Sequence, residues 1–343
     1  MTNKQVRGRC LVAHSLDFRT AGQRFLISLR ASNAYSKTYL SSLEISLALL
    51  SSYAEENDWP GIGGITADHI EEYLIHLQER PKWFGEQGQG NLSQSYIETQ
   101  YRRIKRFFNW LVERGHIEGN PLDLIKHPYV NQRTIPTVSD RDMAGLLELV
   151  NPRAAHSPKK LFFCHRNRAL LYILWDTPSR REEIASLTVE SVDWDHGAIH
   201  VLGKGRKERW MTLSYQTLDV LYEYRDIRDA LRPDTKALWV SYAGQPMDAN
   251  WVYKMLKRLG GRAEIENLHT HRFRHTYAMN ALSAGMQERY LMHEGGWSKI
   301  PETYFRTLGP EHIAERHREL SPVGRLARLQ KEVKEPVKRR GRL

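Results

Sequence analysis

The stretch IHVLGKGRKERWMTL (residues 199–213) is where the chain changes character. Ile199–Leu202 and Trp210–Leu213 read as short strands, and the Gly203-Lys204-Gly205-Arg206-Lys207 run between them predicts a hairpin tip. On both sides of it the chain reads as helix. Leu40, Leu43, Leu47 and Leu50 keep the helical period from Ser36 to about Asn57, and Ile70, Tyr73, Leu74 and Leu77 keep it from Ala67 to Glu79. Ser95, with Glu98 three residues on, predicts a capped helix start. The apolar stripe of that helix is Ile97, Tyr101, Ile104, Phe108 and Leu111, and Gly115 sits where a C-terminal cap belongs. Ser139 is placed to cap a helix to about Val150, and Asn167–Asp176 is an almost wholly apolar helical segment. Helices resume at Tyr215–Ala230, Ala249–Leu259, His271–Ser283 and Gln287–His293. The expected fold class is mainly α with a small β-sheet or hairpin.

At 343 residues the chain suits two domains. Apolar residues at 41% and charged residues at 27% exclude a disordered polymer. Two cysteines, Cys10 and Cys164, cannot build a disulfide framework or a cysteine-rich zinc site. No apolar run reaches membrane-spanning length and no secretory h-region opens the chain, so a soluble, cytoplasmic protein is expected. Lys and Arg number 51 against 40 Asp and Glu, and the resulting +11 suits a polyanionic partner. The Pro-flanked segment HPYVNQRTIP (127–136) reads as a linker. The expected division is an N-terminal extension over 1–35, a helical domain over 36–127, a linker over 128–137, a second domain over 138–321 and a basic tail over 322–343. The tail holds eight Lys/Arg and two Asp/Glu, with a weak helical stripe through Leu326, Leu329 and Val333. Residues 80–92, rich in Gly and Gln, read as an exposed loop.

Several polar clusters stand where packing alone does not require them. In Thr177-Pro-Ser-Arg-Arg-Glu-Glu-Ile184, Arg180 and Glu183 lie one helical turn apart, so the carboxylate can orient the guanidinium or simply form a surface ion pair. Lys204 is an ammonium on a glycine-flanked tip. His271 and Arg274 share a helix N-terminus and can converge on one anion. His269, His271 and His275 also suggest a metal site, but Arg272 stands where a zinc hydrolase carries glutamate, and two arginines oppose a dication. Gly295-Gly296-Trp297-Ser298 and Tyr304 follow. In the 94–113 region Arg102, Arg103, Lys105 and Arg106 lie off the apolar stripe, as a solvated basic face or a nucleic-acid surface.

Together these clusters resemble the tyrosine recombinase (phage integrase) family. Its arginine box is matched by Arg180 and Glu183, with Pro178-Ser179 where the family has Gly-Leu. Its hairpin lysine is matched by Lys204, its His-x-x-Arg box by His271 and Arg274 with the sequel His-Thr, its His-or-Trp position by Trp297, and its tyrosine by Tyr304, with Tyr290 the alternative. Arg-Asn-Arg-Ala-Leu-Leu (166–171) looks like the lead-in helix of the catalytic domain, and the N-terminal half is similar to the helical, SAM-like core-binding domain.

The resemblance implies a site-specific DNA recombinase that cuts and rejoins DNA through a 3′-phosphotyrosine, with no cofactor, ATP or metal. Arg180, Lys204, His271, Arg274, Trp297 and Tyr304 would carry the chemistry, with Glu183 orienting Arg180. DNA would be held by a two-domain clamp, including Arg102, Arg103, Lys105, Arg106, Arg206 and Lys207. Paired core sites would bring two protomers each, giving a tetramer at the nucleoid. A mobile-element integrase is the expected role. The alternatives are a Xer-like dimer resolvase, a type IB topoisomerase-like enzyme and a non-catalytic DNA-binding protein.

Overall fold

The structure is a computed structural model that describes residues 16–81, 90–130, 136–203, 208–307, 314, 317–318 and 321–323. The hairpin tip with Lys204, Arg206 and Lys207, most of the 80–92 loop, the middle of the linker and the tail beyond 323 lie outside the described residues. The chain divides into two compact units, Met1–Gln132 and Arg133–Leu343.

The first unit holds α1 (Phe18–Ala31), α2 (Lys37–Glu56), α3 (Ala67–Glu79) and α4 (Gln94–Glu113). Ser36 caps α2 by accepting from the Tyr39 N–H, which satisfies one of the otherwise orphan donors of the first turn. Two expectations are corrected here. Residues 1–35 were set outside the helical domain, yet α1 buries Phe18, Ala21, Phe25, Leu26 and Leu29 in the same core as Leu43, Ile70, Ile104 and Phe108. The stripe of α1 has no room to be an appendage, because Phe25 packs directly on Phe107 and Trp110. The cap of α4 is Ser93, not Ser95: the Ser93 hydroxyl accepts from the Tyr96 N–H at 3.2 Å, while the Ser95 carbonyl accepts from Thr99 one turn on. Glu98 is thereby released to pair with Arg102 and His127.

The second unit holds α5 (Asp140–Leu149), α6 (Pro158–Asp176) and α7 (Arg181–Ala185), then the strands β1 (Val192–Asp193), β2 (Ala198–Leu202) and β3 (Glu208–Thr212). After them come α8 (Tyr215–Ala230), α9 (Ala249–Arg262), α10 (Thr270–Ser283), α11 (Glu288–Gly295) and α12 (Glu302–Thr307). The strands form one antiparallel sheet in the order β1-β2-β3, with Ile199 opposite Met211 and Val201 opposite Arg209. Strand alternation turns Ile199, Val201, Met211 and also Arg209 to the buried face. The main core gathers Leu170, Ile173, Leu174, Tyr224, Trp239, Leu256 and Phe273. A smaller nest of Ala278, Met279, Leu291 and Ile300 encloses Tyr304. Among the described residues no helix is long and apolar enough to cross a membrane.

Candidate active site

The site is assembled at the ends of α6, α10 and α11 and along β3. Just past α6, the Thr177 hydroxyl donates back to the Ile173 carbonyl at 2.7 Å, and Thr177 and Ser179 are both buried. This fixes the turn that presents Arg180. Helix α7 is only five residues long, too short to hold itself, so its place is set by neighbours. The buried Trp239 indole N–H donates to the Ile184 carbonyl at 2.7 Å.

The Arg180–Glu183 pair expected from their spacing is present. The Arg180 backbone N–H and guanidinium donate to the two Glu183 oxygens, each at 2.8 Å. It is no surface pair, because Glu183 is only 4% exposed. A second guanidinium, which the motif reading left without a role, completes the arrangement. Arg209 donates to Glu183 Oε1 at 2.9 Å and Oε2 at 2.7 Å, and its Nε–H donates to the Glu294 carbonyl at 2.7 Å. Burial pushes the Glu183 carboxyl up, but the bonds from Arg209 and Arg180 outweigh it and hold the pKa below the ordinary value. The signal for Arg209 was available: a cation on the inward face of a strand needs a buried carboxylate.

Arg274 is buried on α10. It donates to the Pro178 carbonyl and, at 2.8 Å, to the Gly295 carbonyl, and its guanidinium lies 4.1 Å over the Trp297 ring. Arg180 reaches the next carbonyl, that of Gly296, at 3.5 Å. The two guanidinium groups therefore meet along the successive carbonyls of Gly295 and Gly296. Burial, then the charge of Arg180, lowers the Arg274 pKa to about 10, so it stays a cation at neutral pH. The glycines are required by space. A Cβ on Gly295 would fall 2.0 Å from the Trp297 ring, and Gly296, at φ +60°, adopts the left-handed conformation that ends α11.

Tyr304, on α12, is 7% exposed and packs edge-on against Trp297 at 5.3 Å between ring centroids. Arg274 and Arg180 lie near enough for their positive charges to act on its hydroxyl. Burial raises the Tyr304 pKa, against the pull of Arg274 and Arg180. Tyr290, the alternative, is 55% exposed and its hydroxyl accepts only from Arg289 on its own helix. The site thus gathers Arg180, Glu183, Arg274, Trp297 and Tyr304.

His271 lies at the start of α10 on the wall of a cleft of about 820 Å³ that Arg180, Arg181, Lys257 and His269 also line. It is open to solvent on one side. Burial on the other, then Arg274, His269 and Arg180, depresses its pKa below that of an ordinary histidine. The three histidines considered for a metal are turned apart: His269 Nδ1 is 2.5 Å from the Asn267 carbonyl, and His275 is buried against Tyr304. Among the described residues no group of three or more His, Cys, Asp or Glu side chains is arranged to hold a metal ion.

In the first unit, the basic residues of α4 have partners of their own. Arg102 pairs with Glu98 and Lys105 with Asp123 at 2.9 Å. Arg103 donates to Ser42 and Ser46, tying α4 to α2, and Arg106 lies 4.4 Å over the Tyr35 ring. Arg103 and Arg106 are therefore partly buried rather than a free solvated face.

Residues 154–306 match the model of the phage integrase family. The chain is 24% identical over 310 residues to tyrosine recombinase XerC of Lactobacillus leichmannii, covering 88% of this chain and 99% of that one. It is 26% identical over 242 residues to tyrosine recombinase XerC of Corynebacterium glutamicum, covering 70% of this chain and 77% of the other. The fold is similar to that of the Tn1549 transposon integrase in complex with a circular-intermediate DNA, with TM-score 0.66, 16% identity, and coverage of 90% and 100%. It is also similar to XerH site-specific recombinase bound to a palindromic difH substrate, with TM-score 0.63, 17% identity, and coverage of 87% and 84%. Residues 154–306 of the second unit thus match the phage integrase family, and the relatives that span both units are tyrosine recombinases to which the chain is similar.

Proposed function

We propose that this chain is a site-specific DNA recombinase that cuts and rejoins double-stranded DNA through a covalent 3′-phosphotyrosine on Tyr304. Members of the tyrosine recombinase family are DNA strand transferases. The observation that carries the reading is the meeting of a phenol with two guanidinium groups: Arg274 and Arg180 donate to the successive carbonyls of Gly295 and Gly296, and Tyr304 packs on the Trp297 ring that covers Arg274.

Phosphoryl transfer asks a protein mainly for positioning and charge stabilisation. Arg180 and Arg274 hold the non-bridging oxygens of the scissile phosphate and offset the charge that grows on them. The Tyr304 oxygen forms the new bond to phosphorus as the bond to the 5′-oxygen breaks. The phenol gives up its proton to His271, or to water where His271 instead donates a hydrogen bond to the phosphate, and Lys204 supplies a proton to the departing 5′-oxygen. Trp297 contributes its N–H and its packing. One phosphoester replaces another, so ATP is not needed and the step can be reversed to rejoin strands.

DNA is the partner. The excess of basic side chains supports it, as do relatives of the fold that carry DNA in their structures. Two protomers at each core site and a tetrameric synapse follow from the paired-site reaction. The role is that of a mobile-element integrase, and the relatives named XerC favour a Xer-like resolvase as the second reading. A suicide substrate, nicked so that the cleaved strand end diffuses away, tests the proposal. The wild-type chain is expected to leave a denaturation-resistant adduct at Tyr304, and Tyr304→Phe is expected to bind the same DNA without one. An adduct surviving in Tyr304→Phe overturns the assignment.

A further inference from the structure

His275 is next to Arg274 in sequence and is 1% exposed. Its ring lies 4.8 Å from the Tyr304 ring, between centroids, at an angle of 46°. Neither of its ring nitrogens has a hydrogen-bond partner among the described residues. Burying unpartnered nitrogens is costly, and a phenyl ring would fill the same space without that cost. A histidine here is explained if a nitrogen gains its partner in the reacting complex.

The chemistry of the phenol says which partner that is. The phenol O–H is a donor, and Arg274, which carries donors only and sends them to the Pro178 and Gly295 carbonyls, cannot accept from it, so an acceptor is still needed. The neighbouring imidazole offers one, since a neutral histidine always has one nitrogen with a free lone pair. Burial keeps this imidazole neutral by lowering its pKa. A hydrogen bond given to His275 fixes rotation about the phenol C–O bond and aims the oxygen lone pairs.

We propose that His275 is a positioning residue for Tyr304, accepting the phenolic hydrogen bond in the DNA-bound state so that the attacking lone pair faces the phosphate. This rests on the reading of Tyr304 as the nucleophile. The residue acts through Tyr304 by holding the phenol ahead of attack, and the phenolic proton leaves this hydrogen bond for His271 or water as the oxygen bonds phosphorus.

The test is single-turnover adduct formation on the suicide substrate at saturating protein, for wild type, His275→Phe, His275→Asn and His275→Gln. His275→Phe keeps the ring and loses the acceptor. It is expected to slow adduct formation at least tenfold, with DNA affinity unchanged and a melting temperature no lower than wild type. His275→Asn or His275→Gln, which restores an acceptor without the ring, is expected to recover part of the rate. Should His275→Phe not fold, His275→Ala with and without added imidazole gives the same comparison, recovery by imidazole being the expected result. A wild-type rate in His275→Phe overturns the proposal. So does equal slowing in Phe, Asn and Gln, or an Ala variant that imidazole leaves unmoved. Absence of any adduct in the wild-type chain would instead refute Tyr304 as the nucleophile, so the two failures are distinct.

Discussion

Arg209 and Glu183 meet in a two-pronged bond, Nη1 to Oε1 at 2.9 Å and Nη2 to Oε2 at 2.7 Å, with both side chains buried. The bond links the β2–β3 hairpin to the carboxylate that orients Arg180, and through the Glu294 carbonyl it also reaches the end of α11. Three pieces of the site are thus held by one guanidinium. Arg209→Leu leaves the buried Glu183 carboxylate with only Arg180, and breaking a buried pair costs up to about 3–5 kcal/mol. The expected result is that loss in urea unfolding, together with slower cleavage of the suicide substrate. Unchanged stability would mean that the pair does not hold the site.

Arg180→Lys keeps the charge but loses the planar fork that serves Glu183 and the phosphate together. Removal of one preorganised donor costs on the order of 10²–10³ in rate. A loss of that size in adduct formation is expected, with DNA binding by gel shift nearly intact.

Gly295→Ala forces a methyl group to within 2.0 Å of the Trp297 ring, so the indole must leave its place over Arg274. Cleavage is expected to fall sharply while the chain stays folded. A changed tryptophan emission spectrum should accompany the loss. Wild-type cleavage in this variant would detach Trp297 from the reaction.

Burial lowers the His275 pKa below its ordinary 6.5 in the folded chain, so on acidification the unfolded chain takes up this proton first. Its contribution to stability is therefore complete above about pH 6.5 and is lost as pH falls from there through the folded value. His271, also lowered, acts with the same sign. The melting temperature should fall on acidification below 6.5, and by less in His275→Phe. An identical pH dependence in wild type and variant would contradict the buried, neutral assignment.

Where the physics was local, the sequence could be read closely. The stripe of Ile70, Tyr73, Leu74 and Leu77 marks α3 at its observed bounds, and the helix expected over Tyr215–Ala230 is α8. The first half of α6 escaped because its buried positions include Arg166 and Asn167, so no apolar face stands out. Stacking on Phe163 and Trp251, together with a bond to the Val240 carbonyl, houses the Arg166 charge, and only the folded chain supplies those partners. In the site, Arg180, Glu183, Arg274, Trp297 and Tyr304 were legible from motif spacing. The relation of His275 to Tyr304 was not, because α12 brings the tyrosine back over α10 only after the turn at Gly295-Gly296.

The contact between Arg274 and position 178 is made to a carbonyl oxygen, not to a side chain. Every amino acid carries that oxygen, and proline presents it on a backbone whose φ is already fixed. The letter at position 178 is consequently free to change while the geometry it serves stays put. A pattern search that insists on particular residues at that spot will pass over enzymes built like this one, whereas a search keyed to the spacing of the guanidinium groups and the phenol will find them.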